Sequence, residues 1–187
     1  LLCPTVVAGD AKSTFKRIKA VHERWGTTTF AFYDDALLFD SESHFVPFAQ
    51  RLIESKLDLS FYLPNGIHFR YVTPEIAQLL HDARFREIRF GYESSSTDFH
   101  EHYGRKHRPH HPGDAIDALK SADFSGDQIT LYVLAGTPGQ LPDEVETSIR
   151  AAAQFKTRIQ VAEFSPVPGT SLWQESVERS ELPIAEE

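Results

Sequence analysis

A chain of 187 residues with 41% hydrophobic content is long enough for one globular domain with a substantial core, and no stretch is long and apolar enough to cross a bilayer as a helix. Its net charge of −8 is spread without acidic blocks, which argues against a nucleic-acid backbone as the main partner and leaves no basic amphipathic helix for a membrane surface. The single cysteine, Cys3, excludes an internal disulfide and makes a reducing cytoplasm the expected compartment.

Leu1-Leu2-Cys3-Pro4 has neither the charged region nor the long apolar region of a secretory signal. Methionine is absent even at position 1, so the sequence reads as a piece of a longer protein. From Ser13 to Trp25 the apolar residues Phe15, Ile18, Val21 and Trp25 recur at helical spacing, and Gly26 supplies a left-handed stop. A first strand follows over Thr28–Tyr33 and ends abruptly in Asp34 and Asp35. Phe45, Phe48, Ala49, Leu52 and Ile53 predict a helix laid on a core, with Pro47 tolerated in its first turn. Leu57, Leu59, Phe61 and Leu63 then alternate with polar residues until Pro64-Asn65-Gly66 breaks the run.

The clearest local signal is Thr73-Pro74-Glu75, an N-cap, a first-turn proline and an acid at the positive end of the dipole, followed by the stripe Ile76, Leu79, Leu80 and Ala83. The third strand, Ile88–Glu93, ends in the polar tip Glu93-Ser94-Ser95-Ser96. Ser96–Gly113 reads as irregular. Ile116, Leu119 and Ala122 mark a helix, the apolar run Ile129–Ala135 a strand covered on both faces, and Gly136-Thr137-Pro138-Gly139 its end. Pro142-Asp143-Glu144 opens a helix with Val145, Ile149 and Ala152, and the last strand, Ile159–Phe164, runs into Ser165-Pro166-Val167-Pro168-Gly169-Thr170.

Strand centres near Phe30, Phe61, Phe90, Val133 and Ala162 lie 31, 29, 43 and 29 residues apart, the length of a βα unit rather than a hairpin. Such alternation implies an α/β fold with a parallel sheet, doubly wound or curled towards a barrel. In both, ligands are held just past the carboxyl ends of the strands. Asp34 and Asp35 are therefore site candidates, against the plainer reading of a strand-to-helix turn. Glu93 is another, against a helix cap. Asn65-Gly66 could be a plain turn. His107, His110 and His111 sit in a basic loop without a third-ligand spacing and read as solvated, and Trp173 as packing for the C-terminal segment.

Taken in order, Phe30–Asp35, Pro64-Asn65-Gly66, Ile88–Ser94, Tyr132–Gln140 and Phe164–Thr170 resemble the successive strand-end motifs of the radical S-adenosylmethionine (SAM) superfamily, nearest to the subgroup with cobalamin-binding members and methylthiotransferases. The resemblance implies a partial TIM barrel, with units two to six of six present in a single incomplete core domain, 1–187. It also implies a parent enzyme that cleaves SAM reductively to a 5′-deoxyadenosyl radical with a 4Fe-4S cluster, and a cobalamin domain elsewhere is compatible with it. Tyr33, Asp34 and Asp35 would receive the SAM amino group, and Asn65 would lie beside the methionine portion or the substrate. Glu93 and Ser94 would bond the ribose. Tyr132 to Gly136 would pass the adenine, and Phe164, Pro166 and Val167 would close its far side.

The departures from the family matter as much. Its C-x3-C-x2-C loop is absent, and one cysteine cannot replace three thiolates, so the chain alone is expected to be inactive. Lys56, Arg84, Asp123 and Lys156 stand where such sequences often end a helix with glycine. With the first unit missing, the strand Thr28–Tyr33 should present an unpaired edge, to be covered by Thr5-Val6-Val7-Ala8 or by a second copy of the chain, with aggregation as the third outcome. Two other functions stay open, a non-catalytic scaffold and a non-radical barrel lyase, although no strand-end lysine, metal set or phosphate loop supports the latter.

Overall fold

The structure, a computed structural model, describes residues 9–34, 36–103, 112–181 and 184, without the side chains of 101–103. Five strands, β1 (Thr29–Ala31), β2 (Ser60–Tyr62), β3 (Phe85–Glu93), β4 (Ile129–Ala135) and β5 (Arg158–Glu163), form one parallel sheet in the order of the chain. The order has no switch point, which separates barrel-type winding from the doubly wound alternative. Helices α1 (Ala11–Trp25), α2 (Phe45–Ser55), α3 (Pro74–Asp82), α4 (Thr97–Tyr103), α5 (Gly113–Ser121), α6 (Pro142–Ala153) and α7 (Ser171–Arg179) alternate with them. Among the described residues no helix is long and apolar enough to cross a membrane.

The chain divides into two compact units, Leu1–Gly91 with His110–Thr130 and Tyr92–Pro109 with Leu131–Glu187. The core of the first is aromatic. Phe61, on β2, stacks with Phe30 at 5.9 Å and packs against Phe85 at 5.3 Å, while Phe32 meets Phe48 of α2 edge-on at 5.5 Å. Phe45, Phe61 and Phe85 are almost fully buried, and each contributes about 1.5–3 kcal/mol by leaving water. In the second unit α6 turns Ser148 and Ala152 inward. The β5 backbone rejoins β4 where Phe164 N–H donates to Ala135 O at 2.8 Å.

Helix signals behave as their chemistry dictates. Thr73 Oγ1 accepts from Ile76 N–H at 3.3 Å with Pro74 in the first turn, and Gly26 closes α1 at φ 68°. The four non-glycine helix ends accept strain rather than avoid it: Lys56, Arg84, Asp123 and Lys156 all take left-handed φ, from 53° to 67°. Each donates its backbone N–H to the carbonyl three residues earlier, and the missing glycine costs about 1–2 kcal/mol per site.

Several boundaries differ from the sequence reading. β1 and β2 are three residues each, shorter than the apolar runs containing them, although backbone bonds reach one residue past β1 at each end, from Ser60 N–H to Thr28 O at 2.8 Å and from Phe32 N–H to Tyr62 O at 2.9 Å. β3 begins at Phe85 rather than Ile88, since Phe85 pairs with Phe61 across the sheet. The stretch read as irregular holds α4, and a further helix, α7, follows Thr170, whose Oγ1 accepts from Trp173 N–H at 3.1 Å. Ile53 is partly exposed, off the buried face of α2. β1 terminates the strand order; Thr5–Ala8, expected to cover it, lies outside the described residues.

Candidate functional site

In the first unit the tip after β1 is built from main-chain geometry. Tyr33 is 71% exposed, and its carbonyl accepts from Asn65 Nδ2 at 3.0 Å. The structure thus brings Tyr33 and Asn65 together. Asp34 Oδ1 accepts from Ala36 N–H at 2.8 Å, an Asx turn that starts the loop to α2, so the turn reading of this carboxylate is correct for one oxygen. Asp35 lies outside the described residues. Gly66 sits behind Asn65 at φ 76°, where a Cβ would stand 2.8 Å from Arg89 O. Neighbouring Ile67 N–H donates to that same carbonyl at 2.8 Å. Only glycine tolerates both the conformation and the approach.

In the second unit the tip after β3 is held very differently. Ser94 N–H bonds back to Tyr92 O at 2.8 Å across Glu93, whose φ is 63°, which is the γ-turn of the rarer, strained kind. Glu93 is solvent-accessible yet crowded by protein, and that desolvation pushes its carboxyl above the ordinary range, opposed by the charge of His100. It does not cap α4; Ser96 does, accepting from Phe99 N–H at 3.2 Å. The Ser94 side chain is 3% exposed, and its Oγ accepts from Ser96 N–H at 3.0 Å and meets Ser148 Oγ at 3.3 Å. Its hydroxyl is thereby engaged inside the protein. The Ser94 carbonyl accepts from His100 Nε2 at 2.7 Å, which requires a proton on Nε2.

The tip after β4 is clamped by a side chain. Gln140 Oε1 accepts from Gly136 N–H at 2.7 Å and Thr137 N–H at 3.3 Å, and its Nε2 donates to Leu134 O at 3.1 Å. Gly136, at φ 88° with open space around its Cβ position, is free for close approach. Tyr132 is half-buried on β4. Past β5, Phe164 and Pro166 are half-buried and Val167 is exposed, with Val167 O capped by the Thr170 hydroxyl at 2.7 Å. A cleft of about 400 Å³ opens in this unit among Ser94, Asp98, Thr137, Gln140, Glu144 and Arg179; Glu93 does not line it.

Among the described residues no three His, Cys, Asp or Glu side chains are grouped to hold a metal, and His107, His110 and His111 lie outside them. Two residues that organise the tips escape a sequence reading. Ser148 looks like a polar surface position, and only its i, i+4 relation to buried Ala152 hints otherwise. Gln140 looks like the trailing residue of a glycine-proline turn.

No family model matches the chain. In sequence it is 25% identical over 171 residues, 90% of its length, to an uncharacterized methyltransferase, PH0819, of Pyrococcus horikoshii, and spans only 36% of that protein. In structure it superposes on methylornithine synthase (PylB) with a TM-score of 0.60 at 14% identity, over 87% of this chain and 45% of the other. It superposes on coproporphyrinogen III oxidase (HemN) of Escherichia coli, a radical SAM enzyme, with a TM-score of 0.61 at 10% identity, over 92% and 42%. The fold is a partial TIM barrel of the type these two structures share. The chain thus spans about a third of its curated relative and less than half of these two structures.

Proposed function

We propose that this chain is most of the SAM-binding core of a radical SAM enzyme. The observation that carries the reading is the unbroken strand order, in which successive strands end in Tyr33-Asp34, Asn65-Gly66, Glu93-Ser94 and Gly136, the order in which the resemblance assigns contacts along SAM. In this reading Asp34 Oδ2 and the second lone pair of the Tyr33 carbonyl accept from the ligand ammonium, a role the resemblance extends to Asp35. Asn65 fixes the Tyr33 carbonyl and faces the methionine portion. Glu93 accepts from the ribose hydroxyls, and Ser94 contributes backbone rather than hydroxyl. Gly136 lets the adenine approach the main chain next to Tyr132, and Phe164, Pro166 and Val167 close over it.

A 4Fe-4S cluster would supply the electron for SAM cleavage in the parent, but the donor set here does not fit one. Three thiolates are required and the chain has a single cysteine, so no step is assigned through the cluster and the isolated chain is read as inactive. That same deficit favours the second reading, a scaffold of the same fold that binds without reacting. The methyltransferase relative makes methyl transfer a candidate activity for the parent; a cobalamin domain is not part of the proposal.

Calorimetry with S-adenosylhomocysteine tests the binding assignment. Asp34, Asp35 and Glu93 each supply a charge-assisted acceptor worth about 1.5–3 kcal/mol, so the triple alanine variant should bind at least about a thousandfold more weakly. Equal affinity of the two proteins, or none in either, would overturn it.

A further inference from the structure

Glu93 is the centre of a strained turn, and such turns persist only when their surroundings over-determine them. What holds this one comes from α6. Ser148 is 1% exposed, and its hydroxyl donates to Glu144 O at 2.9 Å, which leaves two lone pairs as acceptors. One receives Ser95 N–H at 3.0 Å; the other faces the hydroxyls of Ser94 and Ser95, both at 3.3 Å. Ser94 Oγ already accepts from Ser96 N–H, so its own proton is free to go to Ser148. A single side chain thus turns both of its acceptor lone pairs to the two residues that follow Glu93. The substitution Ser148→Ala would keep the helix but leave Ser95 N–H without its acceptor.

We propose that Ser148 is a positioning residue: it makes no contact with ligand and sets the direction in which Glu93 meets the ribose. The inference rests on the ribose assignment, so its test separates the two. Wild type, Glu93→Gln, Ser148→Ala and Ser148→Thr are compared as the full 187-residue chain, with adenosine and 2′,3′-dideoxyadenosine as probes and with ¹³C NMR titration of the Glu93 carboxyl in the free protein. The expected preference for adenosine is about tenfold or more; Ser148→Ala loses it with unchanged affinity for the dideoxy compound, and Ser148→Thr, which keeps the hydroxyl, retains it. In the free protein Ser148→Ala moves the Glu93 titration down towards an ordinary carboxyl, because a loosened tip is better solvated. If Glu93→Gln leaves the preference intact, or the wild type shows none, the ribose assignment fails and the ¹³C titration alone decides the positioning role. An unmoved Glu93 titration in Ser148→Ala overturns the inference, as does Ser148→Ala keeping a preference that Glu93→Gln removes.

Discussion

The tips after β1 and β3 both end a strand in a carboxylate, yet they are built by opposite means. Asp34 makes its own turn, spending one oxygen on a backbone N–H two residues away, and it stays open to water. Glu93 makes no such bond among the described residues; its direction is imposed by Ser148, far along the chain, acting on Ser94 and Ser95. A locally closed tip survives changes elsewhere, whereas a remotely clamped one inherits the stability of the helix that holds it. The same contrast separates the glycines. Gly66 is required by a neighbour at 2.8 Å, and Gly136 by conformation alone.

The largest effect should come from Gly66→Ala, which combines a left-handed backbone with a clash against Arg89 O; a loss of about 3 kcal/mol is expected in denaturant unfolding. Gly136→Ala meets open space and should cost about 1–2 kcal/mol. Equal costs for the two would erase the distinction between them. Asp34→Ala removes one exposed turn bond and should cost under about 1 kcal/mol, with the β3 tip unaffected in amide exchange. A change in Ser95 protection in that variant would show that the tips are not independently built.

The smallest effect concerns pH. Because crowding raises the Glu93 carboxyl above its ordinary value of 4.5, the native state holds this proton more tightly than the unfolded chain does. The group's contribution is therefore fully present below 4.5 and is lost as pH rises through the raised native value. Glu93→Gln cannot ionise, so its unfolding midpoint should fall less than that of the wild type as pH rises above 4.5. Midpoints that run parallel would mean that Glu93 is solvated like any surface acid.

Much of the frame was legible because it rests on local chemistry. The Thr73-Pro74 helix start, the β4 run and Gly26 follow from residue type and short spacing, while the four left-handed helix ends were flagged through the family resemblance. Unit length implied parallel strands but left doubly wound and barrel winding open, and the sequential order came with the family resemblance. What escaped is what depends on distant partners. α4 has little apolar pattern of its own, and His100 anchors it through the carbonyl of Ser94. β3 starts early because Phe85 has Phe61 to pair with. Asp34 and Glu93 were visible as candidates, but not that one closes its own turn while the other is strained. Nor could Ser94 be recognised as turned inward, since its partner lies on another helix.

The SAM-core assignment also predicts where a ligand lands. In ¹⁵N-resolved spectra of the 187-residue chain titrated with S-adenosylhomocysteine, the amides of Asp34, Glu93, Gly136 and Phe164 should shift together along one saturating curve, with the surface groove at Phe15, Lys19 and Arg51 unmoved. Saturable shifts confined to that groove, or none at the four strand tips, would contradict it.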